Sequence, residues 1–97
     1  MSVIEEIAAE RVRQVEAEGW DDDHDDRHIK GELRQAAAYY ATPDRFRDDA
    51  MWPWGDFRKP KDSRTDLIRA GALIVAEIER LDRAADRAAR QAMEKQN

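Results

Sequence analysis

The chain has no cysteine, which removes disulfide frameworks, thiolate catalysis and any Cys-based zinc site. Glycine (4) and proline (3) are scarce in 97 residues, so few positions can break a helix or set a tight turn. No apolar run approaches the roughly 20 residues that cross a bilayer; the longest uncharged stretch in the apolar region is Ala70 to Ala76. Positive charge is not in excess. The net charge of −5 argues against general affinity for a nucleic-acid backbone. The N-terminal residues lack the basic flank and apolar core of a signal peptide, and the expected location is the cytoplasm.

What remains is rich in Ala, Glu, Arg and Leu, with 40% of residues charged. That composition predicts an all-α fold in one domain, residues 1–97. The expected architecture is an antiparallel helical bundle of three to four helices plus a short helix, completed by oligomerisation. The stretch Asp62 to Leu81 carries this expectation. From Leu67 to Ala76 only Arg69 is polar, for about two and a half turns, and a helix apolar all round needs packing on several sides. A chain this small buries a limited core, so a second or further subunit (dimer or tetramer) is expected to supply part of the wrapping.

In order along the chain, residues 2–17 predict a first helix. Ser2 and Glu5 form a capping-box pattern. Val3, Ile4, Ile7, Ala8, Val12 and Val15 recur at helical spacing, and Glu10, Arg13, Gln14 and Glu16 fall on the wetter side. Gly19 suits a left-handed C-cap, and Trp20 is placed to fold back over the helix end. An acidic loop, 21–28, holds five aspartates and two histidines in eight residues. It fits either a solvated cap for the next helix or a site for a hard cation. A second helix is predicted over Asp26 to Ala41, with Ile29, Leu33, Ala36, Ala37 and Tyr40 buried and Gly31 inside it. Thr42-Pro43 ends it and opens one or two short turns. The loop 51–61 gathers Trp52, Trp54 and Phe57 beside Arg58, Lys59 and Lys61. Such a segment is either a lid on the core or a stacking platform for a base with cations for phosphate. A long helix, 62–90, follows, capped by Asp62 or Ser63 and fraying at its end.

Chemistry is expected where acids fall on two helices. His28 and Glu32 are one turn apart, as are Asp62 and Asp66. If the helices pack antiparallel with these groups converging, mutual repulsion would call for a divalent cation. The alternative is plain capping by Asp62 and Asp66 and an internal ion pair between Glu32 and Arg64 or Arg69.

The pairing of GELRQAA, from Gly31, with DLIRAGALIVAEIERL, from Asp66, resembles the metal-binding helices of the MazG-like all-α nucleoside triphosphate pyrophosphohydrolases. Glu32 matches the last acid of an EExxE motif, and Asp66 the Asp of ExxD. His28 and Ile29 stand where the first two acids of EExxE are expected, and Ser63 stands where the Glu of ExxD is expected, with Asp62 one position earlier. Residues 10–83 also resemble small phage- and prophage-encoded proteins carrying the same EGW, HDD, GEL, WPW and AEIERLDR elements.

The resemblance implies hydrolysis of an NTP or dNTP to the monophosphate and pyrophosphate. Glu32 and Asp66 would be catalytic, and Mg²⁺ or Mn²⁺ would be held by Asp25, His28, Glu32, Asp62 and Asp66. Trp52 and Trp54 would face the base, with Lys59, Lys61 and Arg64 on the phosphates. The departures from the motif also fit two other functions: a non-catalytic protein that sequesters a nucleotide, or a helical protein–protein adaptor.

Overall fold

The computed structural model describes residues 1–56 and 58–96. Phe57, the third aromatic expected in the Trp-rich loop, lies outside them. Among the described residues the fold is all-α, without a strand: α1 (Val3–Glu18), α2 (Asp22–Arg27), α3 (Glu32–Ala41) and α4 (Ser63–Lys95). Two single 3₁₀ turns, Asp44–Phe46 and Asp49–Met51, lie between α3 and α4. No described helix is long and apolar enough to cross a membrane.

Local chemistry sets the helix ends. The Ser2 hydroxyl accepts the Glu5 N–H, and the Glu5 carboxylate accepts the Ser2 N–H, each at 3.1 Å. Two otherwise orphaned donors are thus satisfied at the start of α1. Gly19 closes the helix with φ 74°, a conformation that costs a residue with a Cβ. Asp62 caps α4 by accepting from the Thr65 N–H at 2.9 Å and the Thr65 hydroxyl at 2.8 Å.

The expected helix over Asp26 to Ala41 is instead two helices. Asp21 caps α2, accepting the His24 N–H at 2.9 Å, and His28 ends it. The chain then turns through Gly31 at φ 91°, so this glycine serves the turn and not a close helix contact. Ile29, expected in the buried stripe, is exposed as a result.

α4 lies between α3 on one side and α1 on the other, which makes a thin layer with extents of 55 × 33 × 21 Å. The core lies on one side of this layer. Leu33, Ala36 and Tyr40 of α3 meet Leu73 and Ala76 of α4 there, under Trp20 and Trp52. α1 approaches α4 closely at Gly71, where a Cβ would sit 3.1 Å from the Ile7 Cδ1.

Two faces differ from expectation. In α1, Val3, Ile4, Val12 and Val15 point to solvent, while Gln14 is wholly buried against α4. In α4, Ala70, Ala72, Leu73 and Ala76 are buried, but Leu67, Ile74 and Val75 are exposed. The long helix is therefore wrapped on one side and bare on the other. It also stays helical to Lys95, beyond the expected fraying point.

Candidate functional site

The acids expected to converge on a metal lie at opposite ends of the helix pair. Glu32 is the first residue of α3. Asp66 is in the first turn of α4, beside the last residues of α3. Arg47 ties these together: its guanidinium donates to the Tyr39 carbonyl at 2.8 Å, the Thr42 carbonyl at 2.9 Å and Asp66 at 3.4 Å. Ten helical residues separate the two ends, about 15 Å along the axis. Antiparallel packing causes this separation, because groups near the starts of two antiparallel helices sit at opposite ends of the pair.

Each acid also has its own partners. Asp66 is 1% exposed. Besides Arg47, it accepts the Lys61 N–H at 3.0 Å and has Arg69 at 3.8 Å. Glu32 accepts the Lys30 N–H at 2.6 Å and contacts His28 Nδ1 at 3.1 Å, so its partner is neither Arg64 nor Arg69. Burial pushes the Glu32 carboxyl up, but hydrogen bonds from its own N–H, His28 and Lys30 outweigh this and hold it below the ordinary carboxylate value.

The other expected ligands are similarly committed. Asp25 is wholly buried between Arg11 at 2.6 Å and His24 Nδ1 at 2.8 Å. Asp62 is the α4 cap. Carboxylates only accept, so His24 and His28 both carry a proton on Nδ1. The indole N–H of Trp54, 3.4 Å from His28 Nδ1, then meets a donor, and the Trp54–His28 contact is ring packing. Among the described residues no group of three or more His, Asp or Glu side chains is arranged to hold a metal ion. The donor set does not fit the cation that the motif resemblance implies.

The expected substrate-binding residues are also dispersed. Arg64 pairs with Glu6 on the surface at 2.6 Å. Lys61 is exposed and contributes its backbone N–H to Asp66. Trp52 is buried in the aromatic core, its indole N–H donating to Asp56 at 3.1 Å. Trp54 is half-buried against Trp20, His24 and His28.

Arg64 lines a shallow surface hollow with Glu6, Glu10 and Arg13, whereas Lys59 lines a deeper cavity built from residues the sequence did not single out together. This partly open cavity of about 230 Å³ lies between α1, Arg58 and Lys59 of the Trp-rich loop, and Arg69 of α4. Four cations line it, Arg13, Arg58, Lys59 and Arg69, against two acids, Glu10 and Glu18, with Trp20 and Tyr40 as the aromatic wall. This is a local positive excess in an acidic chain. Glu10 and Glu18 fix the Arg13 side chain, with contacts at 2.7 and 3.4 Å. Burial raises the Glu18 carboxyl, but the Arg58 and Arg13 guanidiniums together bring it below its ordinary value.

Gln14 lines the same cavity with an unsatisfied acceptor. Its Nε2 donates to Glu10 at 3.3 Å and to the Arg69 carbonyl at 3.4 Å. Both neighbours only accept, which fixes the amide orientation. The Oε1 is left buried with no hydrogen-bond partner, at a cost of about 1–3 kcal/mol unless a donor arrives.

Arg58 joins this cavity to a second one. Its guanidinium lies 5.2 Å from the Trp20 ring centre and 5.7 Å from that of Trp52, and its Nε is buried without a partner. The second cavity, of about 250 Å³, is lined by Tyr39, Trp52, Trp54 and Arg58, with Asp49 and Asp56 at its edge. A charged chamber and an aromatic chamber thus share one arginine.

Comparison of the chain with models of protein families, with curated proteins and with solved structures finds no match to any of them.

Proposed function

We propose that the protein binds a nucleotide, or a similar phosphorylated small molecule, without hydrolysing it. The phosphates occupy the charged cavity against Arg58, Lys59 and Arg69, and the base lies in the aromatic cavity beside Trp54. The observation that carries this reading is the shared wall at Arg58. The Arg58 guanidinium there, paired with Glu18 at 2.5 Å and Asp56 at 2.8 Å, would exchange these carboxylates for phosphate oxygens on one side and adjoins indole faces able to stack a base on the other. Together the two cavities fall in the range of small-molecule sites, about 300–1,000 Å³. The resemblance to nucleotide pyrophosphohydrolases supplies the ligand class. The separation of Glu32 from Asp66 argues for binding without turnover, since the two acids of the motif do not face the phosphates together and Glu10 and Glu18 of the cavity are engaged by Arg13 and Arg58.

Calorimetric titration with nucleoside mono- and triphosphates, with and without Mg²⁺, tests this. Binding is expected without metal, with a matching rise in Tm. Lys59→Ala, an exposed change that spares the core, should weaken it about tenfold, the loss expected when a charge-assisted hydrogen bond of about 1.5 kcal/mol is removed. No Tm rise with any nucleotide would remove the proposal. Release of pyrophosphate in the presence of Mg²⁺ or Mn²⁺ would favour the hydrolase implied by the motif resemblance instead.

A further inference from the structure

We infer that the bare side of the helical layer is covered by a second copy of this chain, with the two α4 helices meeting across a two-fold axis close to Ile78. On α4, Leu67, Ile74, Ile78 and Leu81 are 57, 49, 53 and 41% exposed. Their spacing of seven, four and three residues puts them on one stripe. Ala85, Ala88 and Ala92 continue that stripe along the exposed last turns of α4. α1 separately exposes Ile4, Val12 and Val15, and Val15 lies beside Asp21, Asp22 and Asp23. An apolar surface of this extent is rare on a monomer and marks an interaction site.

Shape and area favour a second copy over a different occupant. A two-fold contact requires one patch to carry both the projection and its complement. Here the α4 ridge runs beside an apolar groove of about 430 Å³, formed with Ala37 and Ala38 of α3. Charge is confined to the groove's rim, where Arg34 and Glu77 already pair at 2.9 Å. The chain exposes 6653 Å², whereas a compact monomer of 11.3 kDa exposes about 5,700 Å². The excess, on the order of 900 Å², is close to the area of about 800 Å² that each partner contributes to a stable interface. The projecting end of α4 accounts for part of the excess and gains a neighbour in the same contact.

The absence of cysteine makes the test direct. The Ile78→Cys chain carries a single thiol, and oxidation joins two copies only where their Cα atoms approach within about 7 Å. Rapid formation of a linked dimer is expected, with Lys30→Cys, exposed in the turn before α3 and away from the α4 stripe, linking far more slowly. Light scattering should give twice 11.3 kDa for the native chain. Ile78→Glu should give a monomer with unchanged helical circular dichroism, because the side chain is already half-exposed in one copy. A native monomer at high micromolar concentration overturns the inference. So does an assembly that survives Ile78→Glu, or Ile78→Cys linking no faster than Lys30→Cys.

Discussion

Toward the aromatic core α4 presents Asp66, Arg69, Glu77 and Arg80; away from it the helix presents Leu67, Ile74, Ile78 and Leu81. α1 shows the same mixture, with Glu10, Arg11 and Gln14 inward and Ile4, Val12 and Val15 outward. On both helices charged groups share the inner side with apolar ones, such as Leu73 and Ala76 of α4 and Ile7 of α1, and apolar groups share the outer side with charged ones. The inward charges persist because each has partners. Glu77 sits between Arg80 at 2.6 Å and Arg34 at 2.9 Å, and Asp25 takes Arg11 and His24. A buried charge without such a partner is strongly destabilising. The outward apolar residues have no comparable local explanation, and the proposed second copy would give them one. The contrast also separates two kinds of recognition: the inward side holds small charged chambers, and the outward side a broad apolar surface.

The largest effect should come from breaking the inward side at its most buried acid. Asp66→Ala takes from the Arg47 guanidinium, whose side chain is 7% exposed, its buried carboxylate and leaves it only the exposed Asp44. Removing one partner of a buried pair costs about 3–5 kcal/mol, and the midpoint of urea denaturation should fall accordingly. A midpoint close to that of the native chain would mean that Arg47 is satisfied by Asp44 and the Tyr39 and Thr42 carbonyls without Asp66.

A smaller effect is expected on acidification. Arg83 holds the Asp26 carboxyl below its ordinary 3.8. At Glu77, burial raises the carboxyl, but Arg80 and Arg34 more than offset this. Glu18 follows the same pattern with Arg58 and Arg13, and both glutamates lie below their ordinary 4.5. All three groups bind protons less readily when folded. Their contribution is present above the ordinary values and is lost as pH falls through the folded ones. Tm should therefore decline from about pH 5 downward, and Glu77→Gln should flatten the decline. A Tm unchanged between these conditions would show that the inward ion pairs add nothing net.

Much of the fold was legible because it is set within a few residues. The Ser2–Glu5 box, the left-handed Gly19 and the Asp62 cap follow from local chemistry, as does the α3 core of Leu33, Ala36 and Tyr40. The orientation of α1 was not legible. Its apolar periodicity names a face, but the inward side is chosen by partners far along the chain, such as the Arg69 carbonyl for Gln14 and Asp25 for Arg11. Nor did the spacing reveal that antiparallel helices would carry Glu32 and Asp66 apart. Arg47 and Arg58, central to the packing and to the cavities, lie in irregular segments where no periodicity marks them. The only signal for Arg58 was its place beside two tryptophans.

Backbone and indole NMR of the full chain during titration with a nucleotide tests the contrast between the two sides most directly. Trp20, Trp52 and Trp54 give three indole N–H signals that report on the walls of the two chambers. The account predicts saturable shifts of these signals and of the amides near Arg58, with Ile74 to Leu81 unmoved. Shifts concentrated on the outward stripe, or around Glu32 with the indoles silent, would contradict it.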